Sequence, residues 1–394
     1  MFLTIITFFI ILSILVLAHE FGHFFTAKKM GVHVEEFGLG FPPRIFGIQI
    51  LKGERVKKVA WRFIKGKKRQ QSDFDEENAE KGTIYSINFI PFGGFVKIKG
   101  EMGENKEESD SFAHKKIWQR GLILSNGVIM NFLLAIILLS IGFLIGIPLA
   151  TDNLPRYAKI RDEKIGIIEV LPDYPAQKAD LKAGDVLLAI DNKGFKEIEE
   201  VQKYISDKEI VEFKIKRDSL EVIKTVSTQE KEGKNIIGVA LAKIGVVSFP
   251  WYLALWGGLK VTFNLTIQII IALFHLFKGL IFQKALTVDL TGPVGVAVMT
   301  HTMVELGFVY VLQFAALISI NLAIINFLPL PALDGGRVLF LLIEKIKGKP
   351  VNQKIEAIVH NIGFAFLMVL MVLIIYRDIA RFGGRIWQKI TGEG

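Results

Sequence analysis

Residues 19–23 read His-Glu-Phe-Gly-His. On a helix, side chains four apart share a face about one turn apart, so His19 and His23 can offer both imidazoles to one metal ion. Glu20 then stands beside that ion. Zinc held this way polarises a peptide carbonyl and acidifies water, and the adjacent carboxylate can take the proton as that water attacks. Residue type and spacing therefore describe metal-assisted peptide hydrolysis with Glu20 as general base. The motif closes an apolar run that begins at residue 1. At membrane depth an idle polar side chain is costly, and an ionisable one marks function.

A catalytic zinc needs a third protein ligand and one open position. Six residues beyond His23, where a metzincin would place another histidine, stands Lys29, so that class is excluded. His33, Glu35 and Glu36 are close in sequence, but Gly31 and the Lys28-Lys29 pair end the helix before them. The better candidate lies in SINLAIINFLPLPALDGGRV, residues 319–338. Here an apolar segment carries Asn321, Asn326, Pro329 and Pro331, then Asp334-Gly335-Gly336. Proline removes a backbone donor and opens a helix. Such broken backbone is tolerated inside a membrane only where protein buries it or it lines a cavity. Asp334 is thus expected to face inward as the third ligand.

The elements that must position these groups are mostly membrane spans. The chain has 394 residues, is 51% hydrophobic and contains no cysteine, so thiolate metal sites and disulfides are excluded. Its mean hydropathy is +0.41. Four segments are long and apolar enough to cross a bilayer, which takes roughly 20 helical residues. They are 1–30, carrying the zinc motif; 121–149; 308–335, carrying the Asn/Pro/Asp motif; and 357–377. The first lacks a basic leader and a small-residue cleavage site, so it reads as a retained span and not as a signal peptide.

Net charge is +9. Lys52, Arg55, Lys57, Lys58, Arg62, Lys65, Lys67, Lys68 and Arg69 concentrate between the first two spans. Arg337, Lys345, Lys347, Lys349 and Lys354 follow the third. Lys and Arg mark cytoplasmic loops and meet the anionic inner leaflet. Nucleic acid is not expected as a partner, since aromatic residues are sparse among these charges and spans flank them. The region 31–120 is therefore placed inside, with a membrane re-entrant β-hairpin at about 85–99 that turns at Pro91-Phe92-Gly93-Gly94. The balanced region 155–245 is placed outside. Segment 250–285 is apolar but contains Lys260, His275 and Lys278. Parity then requires it to lie in the interface, or to dip in and return. His114, His275, His301 and His360 read as packed or interfacial histidines.

With these residues in view, the chain resembles the site-2 protease family of intramembrane zinc metalloproteases. His-Glu-Phe-Gly-His matches its zinc motif, and Asn-Phe-Leu-Pro-Leu-Pro-Ala-Leu-Asp-Gly (326–335) its second motif. FGLGFPPRIF (37–46), YSINFIPFGGFVKIKGE (85–101), Asn126-Gly127 to Asn131 and LTGPVGVAV (290–298) are similar to the bacterial branch called regulator of sigma-E protease. One departure is Asn126-Gly127-Val128, where the family often has Asn-Gly-Pro. The resemblance implies Glu20 as catalytic base and one Zn2+ per chain held by His19, His23 and Asp334. It implies substrate contacts from Asn326, Asn321, Pro329 and Pro331, and a substrate-presenting hairpin edge near Gly93 and Gly94. Residues 161–229 resemble a PDZ domain, with Ala179-Asp180-Leu181 in place of the usual Ala-Gly-Leu. Such a domain is expected to contact a substrate's ectodomain or C-terminus.

The expected fold is an α-helical multi-pass membrane protein of four spans, with a membrane-associated β-hairpin or sheet and one extracytoplasmic α+β PDZ-like domain. The expected function is regulated intramembrane proteolysis of single-span proteins in the bacterial inner membrane, as with an anti-sigma factor or a remnant signal peptide. The active site faces the cytoplasmic side. The alternative, a catalytically silent PDZ-bearing scaffold, has no use for an intact Glu20. A transporter is disfavoured by the lack of inverted repeats.

Overall fold

A computed structural model describes residues 2–51, 60–65, 82–151, 158–217, 220–231, 233–282 and 292–391. In chain order the elements are α1 (Phe2–Lys29), β1 (Val34–Leu51), β2 (Ala60–Lys65), β3 (Ile84–Ile98) and α2 (Ile117–Ile145). Next come β4 (Ile147–Ala150), β5 (Lys159–Val170), α3 (Pro175–Lys178), β6 (Val186–Ile190), α4 (Ile198–Ser206), β7 (Ile210–Arg217) and β8 (Leu220–Ser227). β9 (Gln229–Lys231), β10 (Lys234–Ile236) and β11 (Val239–Ser248) follow, then α5 (Trp251–Phe282), α6 (Pro293–Leu306), α7 (Phe308–Phe327), α8 (Asp334–Lys347) and α9 (Gln353–Thr391). The chain divides into two units, Met1–Leu138 with Leu259–Gly394, and Leu139–Gly258. Much of the basic run expected in the first loop (Lys52, Arg55, Lys57, Lys58, Lys67, Lys68 and Arg69) lies outside the described residues, as do residues 155 and 283–285 at the expected domain edges.

In the first unit, α1 stays helical because nothing in its 28 residues breaks the ladder. It stops where Gly31 takes φ +67 and the Val32 N–H bonds back to the Ala27 carbonyl at 2.9 Å. Lys28 and Lys29 occupy its last turn, where they suit the helix dipole. Among the described residues, five helices, α1, α2, α5, α7 and α9, are long and apolar enough to cross a membrane. The segment expected to lie flat or to dip and return is α5, one unbroken helix of 32 residues, so it does not turn back. Lys260, His275 and Lys278 do not break it, because a long polar side chain can reach toward water without disturbing the backbone. The segment expected at 308–335 divides: α7 ends at Phe327, and Asp334 begins the separate helix α8.

The sheet of this unit runs β2-β1-β3 and corrects the expected hairpin. The two arms of β3 do not pair with each other. The arm near 94–98 pairs with 34–39 of β1, and the arm near 84–90 pairs both with 36–39 and with 41–49. Two bent strands therefore interlock, with the first arm of β1 between the arms of β3. The turn is made at Gly93, where φ is +84 and an added Cβ would stand 2.7 Å from the Phe41 ring. Glu36 is buried inside this sheet. It accepts bonds from Arg44 Nε at 3.1 Å and Nη2 at 2.5 Å, and from Ser86 Oγ at 2.6 Å. That network occupies Glu36 fully and removes it from metal binding. Among the described residues, the 94–98 arm of β3 is a free edge, with β2 at the opposite end of the sheet.

Below the sheet, Phe24, Ala27, Val34, Ile98, Phe112, Ile123 and Leu341 form one core that joins α1, β1, β3, α2 and α8. A second contact, of Ile11 and Leu15 with Ala315, ties α1 to α7.

The second unit carries a six-stranded sheet ordered β4-β11-β5-β6-β7-β8. It takes in β4, which precedes the expected start of the domain at 155. Along β7, Val211, Phe213 and Ile215 alternate inward with period two and are fully buried. Val201 and Ile205, one turn apart on α4, cover them. Asp185 is buried and receives both Nε and Nη2 of Arg217 at 2.7 Å, a bidentate pair.

Candidate metal centre

Three elements bring the centre together. α1 supplies His19, Glu20 and His23 on its inner face, and the start of α8 supplies Asp334. The imidazoles fit because α2 presents glycine where they lie: a Cβ on Gly127 would stand 2.4 Å from His23 Nε2 and 2.8 Å from His19 Cε1. The reverse holds at Gly22, whose added Cβ would meet the Asn126 carbonyl oxygen at 2.4 Å. Small residues let the two backbones approach, and Asn126 secures the crossing by donating to the Gly22 carbonyl at 3.1 Å and to Thr26 Oγ1 at 2.5 Å.

Asp334 arrives by a tight reversal. After α7 ends, residues 328–333 turn through Ala332 at φ +72. Gly335 and Gly336 then pack back onto that turn, and added Cβ atoms would lie 2.2 Å from the Leu328 carbonyl oxygen and 2.3 Å from that of Leu330. The glycine pair after the aspartate is what lets α8 begin there. From α9, His360 Nδ1 accepts the Ala332 N–H at 2.9 Å, and Gly363 gives room for Pro331.

The result is a convergence of lone pairs. His19 Nε2 stands 2.9 Å and His23 Nε2 3.3 Å from Asp334 Oδ2, and the two nitrogens are 3.2 Å apart. His23 Nδ1 donates to the Ile123 carbonyl at 2.9 Å. A carbonyl can only accept, so the ring proton is on Nδ1 and Nε2 presents its lone pair. His19 Nδ1 is 3.3 Å from the buried Asn131 amide. A half-turn of that amide places its otherwise unpartnered Oδ1 toward the ring as an acceptor. Both Nε2 atoms then point, without protons, at a carboxylate oxygen that itself has no hydrogen-bond partner. Lone pairs held this close repel unless a cation lies among them. Two imidazoles and one carboxylate are a donor set for zinc with a position left open. Among the described residues this is the one group of three such side chains placed to share an ion.

Glu20 flanks the centre without joining it. Its Oε2 accepts the Val96 N–H at 3.1 Å, from the free edge of β3. Gly94 lies on that edge, and a Cβ there would come within 3.9 Å of Glu20 Cγ. A cavity of about 230 Å3 opens between Val16, His19, Glu20, Leu322, Asn326, Leu333 and Asp334. Asn326 therefore shares this cavity with His19, Glu20 and Asp334. Asn321 is half-buried on α7 and does not line the cavity; Pro329 is exposed, and Pro331 packs on Gly363. Sequence reasoning named the three candidate donors and the Asn126-Gly127 to Asn131 stretch, but it gave Gly127 and Asn131 no role and did not single out Ile123. Their contribution is a helix crossing about a hundred residues away, for which the sequence offers only a small residue and an asparagine in an apolar run.

Comparison with known proteins comes to the same place. The family model described as "Peptidase family M50" matches residues 7–64 and 74–370. The chain is 30% identical to zinc metalloprotease RasP of Geobacillus kaustophilus, over 96% of this chain and 98% of that protein. It is 32% identical to the regulator of sigma-W protease RasP of Bacillus subtilis, with the same coverage. A solved PDZ domain of an SdrC-like protein from Listeria innocua is 28% identical and covers 20% of this chain and 92% of that one, at a TM-score of 0.19, too low to establish a shared fold.

Proposed function

The chain belongs to peptidase family M50 and is a zinc metalloprotease, and within that family we propose that it cuts peptide bonds in or near the membrane-spanning segments of single-span proteins. His19, His23 and Asp334 hold the ion, Glu20 is the general base, and Asn326 is the nearest substrate contact. The observation that carries this reading is the convergence of three bare donor atoms beside a carboxylate that points along an open strand edge.

The zinc, when bound, supplies Lewis acidity toward the scissile carbonyl and toward water. The residues do the rest. Glu20 is oriented by Val96 through one oxygen, which leaves the other to take a proton from the attacking water and return it to the leaving amine. Asn326, across the cavity, donates its amide N–H to the carbonyl oxygen of the substrate. A substrate helix must first unwind, and each backbone group left unpaired in lipid costs several kcal/mol. The free 94–98 arm of β3 offers replacement bonds to an extended segment, and the absence of a side chain at Gly94 keeps its path past Glu20 clear. This edge takes over the role expected of the hairpin.

We place the protein in the bacterial cytoplasmic membrane with its centre toward the cytoplasm, on the distribution of Lys and Arg. The second unit is the PDZ-like domain, outside, where it meets the external part or the C-terminus of the substrate. The test is cleavage of a model single-span peptide in vesicles by the parent chain and by Glu20→Gln. Loss of about two to four orders of magnitude in rate, with zinc retained, is expected; equal cleavage by both removes the proposal.

A further inference from the structure

α8 has two faces with different partners. On one, Arg337 pairs with Glu101, Glu344 pairs with Arg120 at 2.5 Å, and Leu341 enters the core. On the other, Leu339, Leu342 and Ile346 are 39%, 51% and 85% exposed. At 3.6 residues per turn these three fall within an arc of about 60°. Lys345 lies on one flank of that arc and Lys347 on the other, with Lys349 just beyond the helix. An apolar stripe edged on both sides by lysines is the pattern of a helix lying in a membrane surface, its stripe in the acyl boundary and its ammonium groups among lipid phosphates. A second observation sets the level. The Arg120–Glu344 pair fixes the first turn of α2 beside the last turns of α8, and Trp118 in that turn is 61% exposed. Tryptophan favours the headgroup layer.

We propose that α8 is a surface-lying helix that binds the anionic phospholipid headgroups of the cytoplasmic leaflet and so fixes the depth of the metal centre. Asp334 is its first residue. Lipid on one face and the two ion pairs on the other hold the helix that carries the third ligand. The proposal rests on the reading of α1 as a membrane span, and the experiment separates the two.

The chain has no cysteine, so single probes can be placed cleanly. Ile346→Cys, Ile10→Cys in the middle of α1 and Glu107→Cys in an exposed loop are labelled with bimane in the full chain. Each is reconstituted in vesicles of phosphatidylcholine, with or without phosphatidylglycerol. The Ile346 probe should be quenched by lipid carrying a nitroxide near the headgroup and shielded from aqueous iodide, unlike the Glu107 probe. Each lysine weights an anionic surface about fivefold. Phosphatidylglycerol should therefore raise the lipid quenching at 346, and adding Lys345→Gln with Lys347→Gln should abolish the rise. Iodide quenching at 346 equal to that at 107, or no response to phosphatidylglycerol, overturns the proposal. If the Ile10 probe also escapes a nitroxide deep in the acyl chain, the spanning reading fails instead.

Discussion

Gly127→Ala is the sharpest perturbation the structure offers. The new methyl would stand 2.4 Å from His23 Nε2 and 2.8 Å from His19 Cε1, in rings held from behind by the Ile123 carbonyl and the Asn131 amide. Ordinary carbon contacts are nearer 3.5–4.0 Å, so a ring or the helix must move by about 1 Å. Zinc–nitrogen bonds are about 2.0–2.1 Å long, and a shift of that size costs the site a ligand or strains it. Overpacking of this kind typically costs about 1–3 kcal/mol, which converts to a zinc dissociation constant raised about 5- to 150-fold. The helix itself gains, since alanine is favoured over glycine by roughly 1 kcal/mol. Lost zinc therefore cannot be charged to an unfolded α2. Gly121→Ala on the same helix is the control, because its nearest new contact is Leu341 Cδ1 at 4.0 Å. The assay is competition for zinc with a chromogenic chelator, read beside the thermal melt. Parent-like zinc affinity in Gly127→Ala would refute the reasoning that α2 shapes the pocket around the imidazoles.

Other outcomes follow from the same contacts. Asn131→Leu removes the acceptor for His19 Nδ1 and should weaken zinc binding by about 10- to 100-fold in the chelator assay, with the fold retained. In the second unit, Arg217→Met leaves the Asp185 carboxylate buried without its cation and should destabilise that unit by about 3–5 kcal/mol in denaturant melts. Zinc content should not change.

The candidate donors were legible because their chemistry is local. Two histidines four apart, a glutamate between them, and an aspartate after a proline-broken segment need no partner to be recognised. Gly335 and Gly336 were visible as a pair, but their reason, the return of α8 onto the carbonyls of residues 327–330, is a tertiary one. Strand-forming residues at 85–99 were equally plain. Their pairing was not, since both arms of β3 carry compatible alternation and only the bent β1 decides that it passes between them. For α5 the expectation came from parity of the basic loops, which bears on how often the chain crosses and left a dip and return open; the single unbroken helix removes that alternative. Gly127, Asn131 and His360 acquire meaning only from helices that cross.

The most direct measurement is the zinc X-ray absorption spectrum of the purified chain, of Glu20→Gln and of Asp334→Ala. Two nitrogen donors at about 2.0–2.1 Å with oxygen completing the shell are expected in the parent, and the same spectrum in Glu20→Gln. Asp334→Ala should lose an oxygen donor and most of its zinc. A spectrum and zinc content unchanged by Asp334→Ala would contradict the account.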